Sequence, residues 1–149
     1  MTSLALLPLD ERVAVAGQLK PDDMAEIAAA GYVAVVNNRP DGEAMFGQPR
    51  TADLRKAAEA AGLVFLDLPF SGPRATPDQV RAFADLLAGR PGRVVAFCKS
   101  GMRSALLWGA ASIAAGRSLD EVLAMAMRAG QNLEPVGETM VALAKSTQA

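Results

Sequence analysis

The only cysteine of this chain, Cys98, stands five positions before Arg103 in the heptapeptide Cys-Lys-Ser-Gly-Met-Arg-Ser, residues 98–104. A thiolate is a strong nucleophile, and a guanidinium close by offers a fork of donors suited to an oxyanion. An apolar run ends at Cys98 and an alanine-rich segment follows Arg103. A strand–loop–helix unit of that kind points backbone N–H groups and the positive end of a helix at one spot, which favours the thiolate. Lys99 adds positive charge, Gly101 lets the loop bend tightly, and Ser104 suits either a helix cap or a donor to the sulfur. With Ser100 and Met102 these residues form a candidate anion-binding loop around two catalytic residues, Cys98 and Arg103. The competing reading is plain: a lone cysteine at a strand end is ordinarily a small buried hydrophobe, and a loop lysine a solvated charge. The whole combination favours the nucleophile loop.

The rest of the composition narrows the chemistry. There is no histidine, so Cys-His and Ser-His machinery is excluded, and a lone cysteine leaves no residues for the usual zinc site. No metal and no cofactor are expected. Proton transfer falls to carboxylates, lysine, Tyr32, the thiol, water or substrate. A net charge of −1 gives no electrostatic footprint for nucleic acid or membrane. The N-terminal stretch Met-Thr-Ser-Leu-Ala-Leu-Leu lacks the basic start and the length of a signal peptide or membrane span, so a cytoplasmic location is expected.

The elements that must position the loop follow from pattern. The chain's 149 residues suit one domain, with a core from about 12 to 145. Residues 12–17 and 63–70 read as strands, and the near-continuous apolar runs at 32–38 and 93–98 as buried ones, the former covered on both faces. Helices are expected from Pro21 to Gly31, from 51 to 62, and from Thr76 through Leu87. Thr76 with Gln79, and Ser118 with Glu121, are capping-box signatures. A helix over 104–115 is apolar nearly all round and should be central; two more are expected from 118 to 129 and 134 to 145. Trp108, Met125 and Met127 read as core. Strand and helix alternate four times, predicting an α/β domain with a mostly parallel central sheet flanked by helices and right-handed crossovers. Such a sheet gathers ligand sites beyond the carboxyl ends of its strands. That brings together Asn37–Glu43, Pro69–Arg74 and Cys98–Arg103. Arg39 and Arg74 then become candidates for holding an anionic substrate, and Asp41 a candidate acid, although Pro40-Asp41-Gly42 also reads as a simple turn.

Residues 98–104 resemble the Cys-Arg-x-Gly-x-Arg loop of rhodanese-type sulfurtransferases, and also the Cys-x5-Arg loop of cysteine phosphatases, one residue shorter. From Val15 to Leu143, the chain resembles the phosphatase-like domain of beta-lactamase hydrolase-like proteins. The resemblance is carried by Ala16-Gly17-Gln18, Asn38-Arg39-Pro40-Asp41-Gly42-Glu43, Leu68-Pro69 and the cysteine loop. It implies a tyrosine/dual-specificity phosphatase-like fold. Members of that family are often described as sulfurtransferases, and the domain is commonly fused to a metallo-hydrolase domain that these residues do not include.

Two departures from the phosphatase pattern point toward sulfur. A shorter loop offers a smaller cradle, and a persulfide adds one atom where a phosphoenzyme must seat three equatorial oxygens. The loop Phe70–Thr76 holds no carboxylate to protonate a leaving oxygen, and Asp78 beyond it suits a helix N-terminus. The expected function is therefore a sulfurtransferase: Cys98 takes sulfane sulfur from a small anionic donor as a persulfide. With no second cysteine, the persulfide needs an external thiol acceptor. The alternatives are a cysteine phosphatase acting on a phosphate ester without the usual acid, and a non-catalytic anion-binding or thiol-redox module.

Overall fold

The computed structural model describes residues 4–148, so the first three residues of the N-terminal stretch lie outside it. Its centre is a five-stranded sheet in the order β1-β2-β5-β3-β4. The strands are β1 (Leu7–Pro8), β2 (Val13–Ala16), β3 (Tyr32–Asn37), β4 (Val64–Asp67) and β5 (Arg93–Phe97). Four of them run parallel; only β1 is antiparallel, pairing Leu7 with Val15 and Pro8 with Ala14. Two residues, one lacking an N–H, give no strand pattern, which is why the sequence did not signal this edge.

Among the described residues six helices cover the sheet: α1 (Asp23–Ala29), α2 (Thr51–Ala60), α3 (Pro77–Gly89), α4 (Met102–Ala114), α5 (Leu119–Arg128) and α6 (Gly137–Thr147), the last preceded by a 3-10 turn over Glu134–Val136. Both capping boxes form, Thr76 with Gln79 and Ser118 with Glu121. Because the central strands carry β-branched and small apolar residues on both faces, two cores form. Val13, Val15, Val36, Val94 and Ala96 pack with Phe83, Leu106, Leu107 and Trp108 on the face covered by α3 to α6. Ala14, Ala16, Val35, Val95 and Phe97 pack with Met24, Ile27 and Leu54 beneath α1 and α2. Helix α4 is the central one, buried continuously from Ser104 to Ala111. Met127, expected in the core, is instead 53% exposed. Among the described residues no helix is long and apolar enough to cross a membrane.

Two boundaries matter for the site. The expected 63–70 strand is regular only to Asp67; the chain then leaves the sheet at Leu68-Pro69, although Leu68 and Phe70 still donate to the carbonyls of Asn37 and Asn38 at 2.8 and 3.2 Å. Helix α4 begins at Met102, two residues earlier than expected, so Arg103 sits on its first turn rather than in a loop.

Candidate active site

Strand β5 lies between β2 and β3, and Cys98 follows it directly; its N–H still donates to the Ala16 carbonyl at 3.3 Å. The thiol is therefore delivered at the middle of the sheet's carboxyl edge, 1% exposed. Only Lys99, Ser100 and Gly101 separate it from α4. So short a connection requires a left-handed residue, and Gly101 supplies it with φ 96°. Gly101, the N-cap of α4, brings no capping side chain, and its own N–H donates to Cys98 Sγ at 3.1 Å.

The thiol's acidity reflects a contest. Burial pushes it up, but the backbone N–H groups of Ser104, Ser100, Gly101 and Arg103 together hold it below the ordinary thiol value. The loop is braced from behind. Gln131 Nε2 donates to the Ser100 carbonyl at 3.2 Å, and Gln18 N–H to the Lys99 carbonyl at 3.3 Å. Gly17 allows this close approach, since a Cβ there would lie 3.0 Å from the Lys99 oxygen.

Arg103 is clamped by a residue that sequence reasoning did not single out. Its Nη1 and Nη2 donate to the two oxygens of Glu43 at 2.8 and 2.9 Å, and Nη1 also donates to the Phe70 carbonyl at 3.1 Å. Glu43 in turn accepts from Arg39 Nε at 2.9 Å, while Arg39 Nη1 donates to Gln18 Oε1 at 2.9 Å. The bond from Arg103, with further support from Arg39, lowers the Glu43 carboxyl to about 2. Glu43 also raises the Arg103 guanidinium above its usual value, and the nearby Cys98 thiolate favours the same cation. The signal for Glu43 was present in Arg39-Pro40-Asp41-Gly42-Glu43, a carboxylate in a loop aimed at an arginine-bearing site. Sequence alone does not show which cation it reaches.

The three loops meet as expected, with Glu43, Phe70 and Arg103 in direct contact. Their residues divide by role. Cys98, Ser100, Gly101 and Arg103 line the candidate anion cradle. Ser104 contributes its backbone N–H, but its hydroxyl is wholly buried and donates to Asn38 Oδ1 at 2.7 Å, away from the sulfur. Arg39 is buried and reaches the site through Glu43 rather than facing it directly. Asp41 accepts from the N–H and hydroxyl of Thr51, both at 2.8 Å, and so secures the start of α2. Lys99 and Met102 are exposed on the loop and the first turn of α4, and Arg74 is exposed on the loop after β4. Asp78 pairs with Arg81 at 2.6 Å. A hollow of about 410 Å³ lies at the other end of the sheet, beside Asp10 and Trp108 and away from Cys98.

The sequence model for the phosphatase-like domain of beta-lactamase hydrolase-like protein matches residues 6–116. A beta-lactamase hydrolase-like protein of Xylella fastidiosa strain Temecula1 is 34% identical over 131 residues, 87% of this chain and 30% of that protein. The chain thus spans less than a third of that relative's length. Among solved structures, a candidate phosphatase from Neisseria meningitidis Z2491 is 33% identical with a TM-score of 0.80, covering 92% of this chain and 96% of its own. Tk-PTP in its active form, at 20% identity, shares the fold with a TM-score of 0.71, covering 96% of this chain and 95% of its own. The neighbours are tyrosine and dual-specificity phosphatases, in agreement with the fold expected from the sequence.

Proposed function

This chain belongs to the phosphatase-like domain family of beta-lactamase hydrolase-like proteins, and on that premise we propose that it is a cysteine-based, phosphatase-like enzyme acting on small anionic esters. The observation that carries the reading is the Gly101 N–H on Cys98 Sγ at 3.1 Å, at the start of a helix whose first backbone amides lower the thiol, beside a clamped Arg103. These are the parts required to hold a tetrahedral oxyanion against a thiolate. In the proposed reaction Cys98 Sγ attacks phosphorus, forming an S–P bond as the ester P–O bond breaks. The leaving oxygen takes a proton from solvent. Water then attacks the phosphocysteine, releasing inorganic phosphate and restoring the thiolate.

The relatives and fold neighbours support this reading better than the sulfurtransferase expected from the sequence. Sulfur transfer through a Cys98 persulfide is the second reading, favoured by the four-residue spacing between Cys98 and Arg103 and by the lack of an evident acid. Glu43 cannot serve as that acid, because two arginines hold its carboxyl near 2. General acid catalysis contributes about 10²- to 10⁴-fold, so its loss falls hardest on esters of weakly acidic alcohols. The kcat/KM should therefore decline steeply across aryl phosphates as the phenol becomes less acidic. A flat kcat/KM would require a proton donor and overturn the acid-free scheme.

Rapid acid quenching with an aryl phosphate, followed by intact-mass measurement, tests the main reading. The expected product carries one phosphoryl group, absent in Cys98→Ser. Uptake of one sulfur from thiosulfate or polysulfide, without phosphate release from any ester, would instead establish the second.

A further inference from the structure

Beside the thiol loop lies an open groove of about 310 Å³, walled by Pro73, Met102, Leu106 and Val136 and sharing Ser100 and Arg103 with the cradle. Its volume is at the lower end of small-molecule sites. Three elements build it: the loop after β4, the first two turns of α4, and the 3-10 turn before α6. Met102 and Leu106 are four residues apart on α4 and so lie on one face. No carboxylate or side-chain amide is among the lining residues. The groove therefore offers polar side chains only where it joins the cradle, at Ser100 and Arg103.

The geometry points to this groove as the subsite for an apolar substituent, one aromatic ring or a short hydrocarbon chain, carried by the anion that Arg103 and the loop amides hold. This assigns a substrate class, monoesters of apolar phenols or alcohols, and it rests on the reading of the loop as an anion cradle. A sugar or polyol ester would place hydroxyl groups against Leu106, Pro73 and Val136, which offer no side-chain hydrogen-bonding partner. An apolar group loses no such bonds and gains burial. Each fully buried methylene is worth roughly fourfold in affinity, so about two buried groups suffice for a tenfold gain.

The test uses non-hydrolysable anions, which read binding separately from turnover. Calorimetry on the Cys98→Ser protein would compare inorganic phosphate with methyl-, butyl-, hexyl-, decyl- and phenylphosphonate. Hexyl- and phenylphosphonate should bind at least tenfold more tightly than methylphosphonate, with the gain levelling off before decyl as the groove fills. In Val136→Asn the hexyl-to-methyl ratio should fall at least threefold. Phosphate binding with no chain-length preference would overturn the subsite and leave the cradle standing. So would a preference unchanged by Val136→Asn. A gain that continues undiminished through decyl would show the hydrocarbon lying on an open surface, as with a lipid, and overturns the groove assignment. Binding of none of these anions would overturn the cradle and the subsite together.

Discussion

Beside Cys98, the Arg103 guanidinium is held by the Glu43 carboxylate and the Phe70 carbonyl. A free arginine side chain explores many rotamers. Here both terminal nitrogens are fixed by one carboxylate that is itself fixed by Arg39. A partly exposed ion pair is worth about 1 kcal/mol or less, but its bidentate geometry fixes orientation as well. Glu43→Ala should lower kcat/KM for an aryl phosphate by roughly fivefold, through loss of Arg103 positioning. The thiol's acidity is set by the loop amides, so the pH midpoint of Cys98 alkylation should remain below that of an ordinary thiol. A variant with full activity would remove Glu43 from the positioning role. A midpoint returned to the ordinary thiol value would mean that Glu43 acts on the sulfur environment instead. Sequence reasoning singled out Cys98 and Arg103 but not Glu43, because Glu43 and Arg103 are 60 residues apart.

The unit that matters at the next scale is β5, the short loop and α4. Its strand is held on both sides by parallel neighbours, and its helix by apolar packing on all faces, so the ends of the loop cannot drift. Gly101 closes the gap with a left-handed residue, and a Cβ there would lie 2.9 Å from Gln131 Nε2. Gly101→Ala combines backbone strain of about 1–2 kcal/mol with displacement of the glutamine that braces Ser100. We expect a stability loss of about that size in urea denaturation and a larger relative loss of turnover, since the N–H that meets Cys98 Sγ moves with it. Normal activity in a destabilised variant would show that the loop tolerates another path. Most of this unit was legible in the sequence: the strand's end, the glycine and the apolar helix all carried pattern. The start of α4 was not, because its N-cap is Gly101 rather than a Ser, Thr, Asp or Asn.

Across the whole molecule, the end of the sheet remote from Cys98 is tied together by Asp10. Its carboxylate accepts from Trp108 Nε1 at 2.8 Å, Arg117 Nη1 at 3.0 Å, and the N–H groups of Arg12 and Val13 at 2.8 and 2.7 Å. Burial pushes its acid up, but these four donors together hold it below the usual carboxylate range. A depressed carboxylate adds stability that is full above its unfolded value, about 3.9, and is lost as pH falls through its folded value. Asp10→Ala should destabilise the fold by about 2 kcal/mol near neutrality, read from urea midpoints, and the deficit should shrink in acid. A deficit independent of pH would assign the effect to packing instead. Turnover per folded molecule should be little changed, because this anchor lies at the other end of the strands.

The amino-acid sequence by itself determined the alternation of strands and helices, the parallel sheet, the cysteine loop and the gathering of three loops at one edge. Each is written in local periodicity, caps and turn residues, or follows from the general topology of parallel sheets. It did not determine which side chains meet once the loops are gathered. The tertiary structure decided that Glu43 clamps Arg103, that Arg39 supports Glu43, that Ser104 turns its hydroxyl to Asn38, and that Asp41 secures α2. It also decided that Met102, Leu106, Pro73 and Val136 share one groove. These are contacts between segments distant in the chain, and their identity depends on strand order and helix packing rather than on any local pattern.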